Sequence, residues 1–275
     1  MTTPGLLDVS RLGIVWDEDR RHGRFPVAHR WCTSFGFLYG GSGIAAAAAA
    51  AEAATGRPLV WITTQFVANV GPGTELEMSV EITVAARATS QTLVRIAHGD
   101  ALVMLATTAH TERPPGQVAV WGAMPAMPAP EDCVPFVFPH PSGPEGSFMD
   151  RLERRVEPGW EDRRDGMRLW VRSHDLPVGS PASQAYVADI VPMGITNGLG
   201  LPPGATSLDN TLRVIHGDDG DGDWVLLEVV PEALRRSIGH GRVQLWRRDG
   251  ALLGIASQTC IIRTSHHARS EGLIG

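Results

Sequence analysis

Three polar residues in the second half of the chain stand where the first half has apolar or small ones. Asp189 lies in Tyr186-Val187-Ala188-Asp189-Ile190-Val191, Ser207 in Thr206-Ser207-Leu208-Asp209-Asn210-Thr211, and Gln258 in Ala256-Ser257-Gln258-Thr259. A carboxylate in an apolar helical stretch is unfavourable unless it is hydrogen-bonded or used. An acid, a hydroxyl and an amide can together orient one water, the carboxylate taking its proton and the other two fixing its lone pairs. That is hydrolytic chemistry without a side-chain nucleophile. Singly, each residue also reads as an ordinary structural group: a satisfied or outward-facing Asp, and polar strand residues.

The three lie in the second of two similar sets of elements. The first set opens with Gly40-Gly41-Ser42-Gly43-Ile44, runs through the alanines Ala45 to Ala51, and stops at Thr55-Gly56-Arg57-Pro58, after Glu52. Alanine has the best helix propensity, and a helix almost without side chains lets strands approach its backbone. No Lys, Arg, Gln or Ser supplies the polar face of a surface helix, so a helix buried inside a curved sheet is expected. Its glycine-rich start would open free N–H groups and the positive end of the dipole to a ligand, making Gly40 and Gly41 candidate substrate-binding residues. Strand-like segments follow at 59–67, 76–85, 91–97 and 101–111, with His98-Gly99-Asp100 as a hairpin turn.

The second set repeats this outline, with a strand at 167–172, a helix at 183–196 and strands at 206–216, 223–230, 239–247 and 252–263. Arg248-Asp249-Gly250 is the matching hairpin. Aligning Ile62 with Ser207 and Thr108 with Gln258 gives separations of 46 and 51 residues, a difference that one longer loop at 218–223 absorbs. Between the sets, prolines from Pro114 to Pro144 mark a semi-rigid linker.

Gly40-Gly41 before a small-residue helix, then Ala185-Tyr186-Val187-Ala188-Asp189, Ser207-Leu208-Asp209 and Ser257-Gln258, resembles the double-hotdog acyl-CoA thioesterases of the type II family. The resemblance spans nearly the whole chain, from about Arg30 to Arg263. It implies an α+β fold of two hotdog repeats, each a central helix wrapped by a curved antiparallel sheet. It also implies that Asp189 on the second helix, Ser207 at the start of the next strand and Gln258 in the last strand position and activate the hydrolytic water. The thioester carbonyl would then approach backbone N–H groups near Gly40 and Gly41. The reaction so implied is hydrolysis of an acyl-CoA to free fatty acid and CoA, with no cofactor and no metal.

The organisation expected is an N-terminal hotdog over 1–113, a Pro-rich linker over 114–165, a C-terminal hotdog over 166–265 and a polar tail over 266–275. Two hotdogs in one chain imitate a dimer, and such sheets continue pairing across chains, so a homodimer or higher homo-oligomer is expected. The chain departs from the family pattern at two strand ends. Val214-Ile215-His216-Gly217 stands where His-Arg-Pro is common, and Val67-Ala68-Asn69-Val70-Gly71-Pro72 where Arg-Pro-Gly is usual. Two other readings stay open. A hotdog hydratase or dehydratase needs an acid and a His flanking the substrate carbon, for which Asp17 and His22 are the one D-x-x-x-x-H pair. The third is a non-catalytic acyl-CoA-binding protein.

Composition narrows the field further. With 275 residues, 43% apolar and 20% charged, the chain can build cores for two domains. A formal charge of -6 and a pI near 5.9 oppose a duplex-binding surface, so no nucleic-acid partner is expected, and the Arg pairs, Arg154-Arg155 among them, read mostly as solvated faces. Cys32, Cys133 and Cys260 lack metal or redox spacing and read as small core residues in a reducing compartment. Without a leader pattern or a membrane-length apolar stretch, a cytoplasmic protein with no membrane span is expected.

Several weaker signals do not hold together. Asp219-Gly220-Asp221-Gly222-Asp223 starts like a calcium loop, but Trp224 stands where the loop needs Gly. Ile44 breaks a G-x-S-x-G, and Pro202 and Pro203 break a dinucleotide fingerprint at Gly198-Leu199-Gly200. His266-His267 falls in the polar tail.

Overall fold

The alanine run forms the helix expected of it. The computed structural model describes residues 6–114, 116–136, 146–176, 179–201, 204–217 and 224–263; the 218–223 loop and the tail with His266 and His267 lie outside these. In chain order the first half holds α1 (Leu6–Leu12), β1 (Val15–Trp16), β2 (His22–Pro26), α2 (Gly40–Thr55), β3 (Leu59–Phe66), β4 (Glu75–Ala85), β5 (Thr89–His98) and β6 (Ala101–Thr111). Every alanine from Ala45 to Ala51 is wholly buried. Gly56, at φ 65°, caps the helix in the left-handed region, where glycine carries no Cβ penalty.

The second half holds β7 (Val134–Pro135), α3 (Phe148–Arg151), β8 (Leu152–Val156), β9 (Met167–Ser173), α4 (Pro181–Ala188), α5 (Val191–Gly198), β10 (Ala205–Val214), β11 (Val225–Arg235), β12 (Ile238–Arg247) and β13 (Leu252–Ile262). The stretch read as a linker thus supplies α3 and two strands, β8 pairing with β9. All strands join one antiparallel sheet in the order β1-β2-β4-β5-β6-β3-β10-β13-β12-β11-β9-β8-β7. This is the double hotdog: β3 and β10 meet at the centre, and each half of the sheet curls round its own helix. Among the described residues no helix is long and apolar enough to cross a membrane. Cys32, Cys133 and Cys260 are buried and unpaired.

At the central seam Thr63 faces Thr211, and their hydroxyls hydrogen-bond at 3.1 Å. This self-paired position relates the two halves by a pseudo-twofold axis and corrects the alignment drawn from sequence. Both seam strands carry a bulge, between Leu59 and Trp61 in β3 and between Ser207 and Asp209 in β10. Ile62 pairs with Thr108 as Asn210 pairs with Gln258. Thr108 therefore does match Gln258, but Ser207 matches Leu59, and Ile62 matches Asn210. Only the pairing across the seam fixes this register; the bulges stand at equivalent places in the two strands and leave the offset between them unchanged.

The second helix also differs from expectation. The predicted 183–196 helix is two helices, α4 and α5, with Asp189 at the C-terminal end of α4 (φ -81°, ψ 58°) and Ile190 leading into α5. Pro192 explains the break, because it has no N–H for the carbonyl of Ala188 and its ring would clash with that carbonyl. The Ala188 carbonyl instead takes a long hydrogen bond of 3.5 Å from Asn210 Nδ2, and the Asp189 carbonyl accepts from the Tyr39 hydroxyl at 2.9 Å.

The alanine core of α2 gives a direct test of how tightly the sheet closes. Ala47→Leu should destabilise the protein by about 1–3 kcal/mol through overpacking, read as a lower urea midpoint at unchanged m. An unchanged midpoint would show that the sheet leaves room round this helix.

Candidate active site

Asp189 leaves the helical pattern at the break between α4 and α5, and there its carboxylate meets the other two candidates. Gln258 Nε2 donates to Asp189 Oδ1 and, at 2.8 Å, to Ser207 Oγ. The Ser207 hydroxyl and the Gly41 N–H also hydrogen-bond to the Asp189 carboxylate. Three side chains from a helix end, β10 and β13 thus form one connected cluster.

Strand geometry aims two of them. Along β13 the even-numbered positions from Gly254 to Ile262 are buried, so Gln258 occupies an inward position otherwise filled by Ala256 and Cys260. In β10, Asn210 and Leu212 face inward. Simple alternation would point Ser207 the other way, and the bulge after it restores the inward facing.

The first repeat contributes through the start of α2. A Cβ at Gly40 would collide with Asp189 Oδ2 and come within 2.9 Å of the Phe66 ring. A Cβ at Gly41 would strike the Tyr186 carbonyl of α4. Both glycines are therefore required by close approach. The structure brings them to the site, but it gives the Gly41 N–H a different partner from the one expected, since it hydrogen-bonds to Asp189.

Burial pushes the Asp189 carboxyl up to about 6, against the hydrogen bonds from Gln258, Gly41 and Ser207, which lower it. The positive end of the 16-residue α2 also favours the charged form. The balance leaves a carboxylate that is ionised at neutral pH yet basic enough to take a proton.

Asp189, Ser207 and Gly40 line a cavity of about 270 Å³. Gln258 stands behind them, 2% exposed, and touches the other two rather than the cavity. The walls are largely apolar, with Phe66, Met104, Phe148 and Met193 among them. Tyr39 and Phe148 stack with centroids 3.9 Å apart, and Tyr186 meets Tyr39 edge-on at 5.6 Å. Among the described residues no group of three or more His, Cys, Asp or Glu is placed to hold a metal ion.

Sequence reasoning missed three participants. Tyr39 directly precedes the glycine pair and could have been noticed there. Asn210 sits in a strand quoted for its serine, and its role follows only from the helix break. Arg154 was read as half of a solvated arginine pair, yet it lines the cavity. Conversely, Asp17 and His22 are exposed on either side of the β1–β2 turn, with His22 paired to Asp19 at 2.9 Å, so they do not flank a substrate site.

The equivalent places in the first repeat are filled. Counting from the helix caps Tyr39 and Ser180, the match for Asp189 is Ala48. At the matches for Gln258 and Cys260, Thr108 and His110 form a closed chain. Thr92 and Thr108 hydroxyls meet at 2.6 Å, Thr108 meets His110 Nε2 at 2.6 Å, and His110 Nδ1 meets the Arg57 carbonyl at 3.1 Å. Burial lowers the His110 pKa to about 4, so the ring is neutral and donates from Nδ1.

Comparison with known proteins bears on the family and the fold. Residues 27–111 match the family model of the acyl-CoA thioesterase N-terminal domain, and residues 130–262 that of the acyl-CoA thioesterase C-terminal domain. No curated protein sequence matches the chain. Among solved structures, a protein of Novosphingobium aromaticivorans provisionally assigned as a thioesterase is 25% identical, with a TM-score of 0.83, covering 91% of this chain and 98% of its own. The tesB protein of Mycobacterium avium subs paratuberculosis is 18% identical with a TM-score of 0.76, covering 94% of this chain and 98% of its own. The acyl-CoA thioesterase II TesB2 of Mycobacterium marinum is 17% identical with a TM-score of 0.73, covering 94% and 99%. The chain belongs to the acyl-CoA thioesterase family, and is a thioester hydrolase on a double-hotdog fold.

Proposed function

We propose that this protein hydrolyses acyl-CoA thioesters with a water held by Asp189 and Ser207 at the cavity wall. The supporting observation is the meeting of Asp189, Ser207 and Gln258, from three separate elements, beside an apolar cavity.

As the water oxygen attacks the thioester carbonyl carbon, the Asp189 carboxylate takes one of its protons and the carbonyl electrons move onto oxygen. Ser207 Oγ, already accepting from Gln258, has a lone pair left for the second water proton. Gln258 acts through these two side chains as a positioning residue. The Gly40 N–H has no intrahelical acceptor at the first helical position and is the donor proposed for the oxyanion, at the positive end of α2. One such donor is worth about 3 kcal/mol in acyl transfer. The Gly41 N–H steadies Asp189 instead. When the adduct collapses, the C–S bond breaks and the CoA thiolate takes the proton from Asp189. The products are the free acid and CoA.

Asp189→Asn should lower thiol release from a panel of acyl-CoAs by roughly 10²- to 10⁴-fold while circular dichroism stays native. An unchanged rate would remove Asp189 from the mechanism.

Only the ionised carboxylate can accept a proton, so kcat/KM should rise with pH through about 6 and level off above it. A profile flat from pH 5 to 8 would contradict the assignment. The same shift has a stability consequence. A carboxyl raised above its unfolded value binds more protons folded than unfolded, so its contribution to stability falls as pH rises from about 4 to about 6. Asp189→Asn should therefore melt higher than the native protein at pH 8, with the gain disappearing near pH 4; equal melting at both values would show that the carboxylate is not strained by burial.

A further inference from the structure

Arg154 is a cation at the cavity wall that makes no ion pair among the described residues. It sits in β8, opposite Val171 of β9, and lines the same cavity as Asp189 and Ser207. Its guanidinium donates to the Met149 carbonyl at 3.0 Å and to Met149 Sδ at 3.3 Å, and lies 5.8 Å from the Phe136 ring centroid. Its Nε is buried with no hydrogen-bond partner.

No carboxylate among the described residues lies within ion-pair distance of Arg154. Glu153 pairs with Arg155 and Arg172, Glu157 pairs with Arg163, and Asp150, the acid whose charge acts on Arg154, is occupied. Its Oδ2 accepts from the Gly146 and Ser147 N–H groups at 3.0 Å each and from the Ser147 hydroxyl at 3.1 Å. A part-buried guanidinium that keeps its charge with no anion beside it is unfavourable unless something at its open side completes its coordination. The walls carry one carboxylate, that of Asp189, which is held by Gln258 and makes no ion pair with Arg154. A plain alkyl chain would only desolvate the charge further. An anionic oxygen group matches both the charge and the fork of donors.

We propose that Arg154 is a specificity-determining residue that binds a carboxylate carried by the acyl group, so that the preferred substrates are thioesters of dicarboxylic acids. This rests on the acyl-thioesterase reading above and narrows its substrate class. A phosphate of CoA offers related chemistry, and the carrier used in the assay separates the two sources.

The test compares ω-carboxyacyl and plain acyl thioesters of equal chain length, each on CoA and on N-acetylcysteamine, which has no phosphates. The native protein should prefer the carboxyacyl substrate on both carriers. Arg154→Met should reduce that kcat/KM ratio by about tenfold or more on both, with Arg154→Lys recovering part of it. No preference in the native protein overturns the proposal whether or not the variants fold. So does a ratio unchanged by Arg154→Met, or an effect seen on CoA and absent on N-acetylcysteamine, which would assign Arg154 to the phosphates. Calorimetric binding of the two acyl-CoAs to Asp189→Asn, with and without Arg154→Met, reports on the pocket apart from turnover. Arg154-dependent discrimination in binding without hydrolysis of any thioester would sink the hydrolase mechanism and keep this proposal. Hydrolysis of plain acyl-CoAs with no Arg154-dependent discrimination would do the reverse.

Discussion

The start of α2 and the end of α4 have to meet with no side chain between them. Gly41 admits the Tyr186 carbonyl, and Gly40 admits the carboxylate of Asp189. Larger residues would separate the helices and move Asp189 away from the N–H groups and dipole that hold part of its charge. The alanines beyond extend the same requirement along α2, where the surrounding strands approach nearly to the helix backbone. Tyr39 fastens the contact by donating to the main chain of the broken helix.

Each buried helix start faces an acid, but the two acids stand in different surroundings. Asp189 meets α2, and Asp8 of α1 meets Ser180, the cap of α4, in a side-chain hydrogen bond. Burial raises both carboxyls. Asp189 opens onto a cavity, whereas Asp8 is 4% exposed within the core. The first repeat holds a second carboxyl that burial pushes up to about 8, that of Glu52, which accepts from the Leu59 N–H at 2.8 Å beside the β3 bulge. The bulge that aims Ser207 into the site in one repeat thus supplies a main-chain donor to the core in the other. In the first repeat the Thr92–Thr108–His110 chain and Glu52 are satisfied internally, whereas in the second Asp189 and Ser207 face the cavity.

Much of the fold was legible because its main signals are local. Helix propensity, glycine stops and strand alternation located α2, both meanders and the strand that carries Gln258. The break in the second helix could also have been read, since Pro192 forbids the Ala188 hydrogen bond. The bulges were not legible, because they depend on which residues pair across strands. The same holds for the seam register, which matches Ser207 to Leu59 rather than to Ile62. Arg154 was hidden for a different reason. Its neighbours in sequence are prolines and charges, and only the pairing of β8 with β9 carries it to the cavity. The meeting of Gly41 with Asp189 joins two distant parts of the chain, and no single segment announces it.

The Thr63–Thr211 seam joins two repeats that are no longer interchangeable. In an assembly of identical single hotdogs, one gene would encode every helix, and the same residue would have to serve as close-packing filler and as acid. Tethering the copies lifts that restriction. One helix brings only its amino end to Asp189 and is otherwise featureless, while the other breaks its own regularity to present that carboxylate. Division of labour between once-equal parts is what a covalent duplication permits and a symmetric dimer forbids.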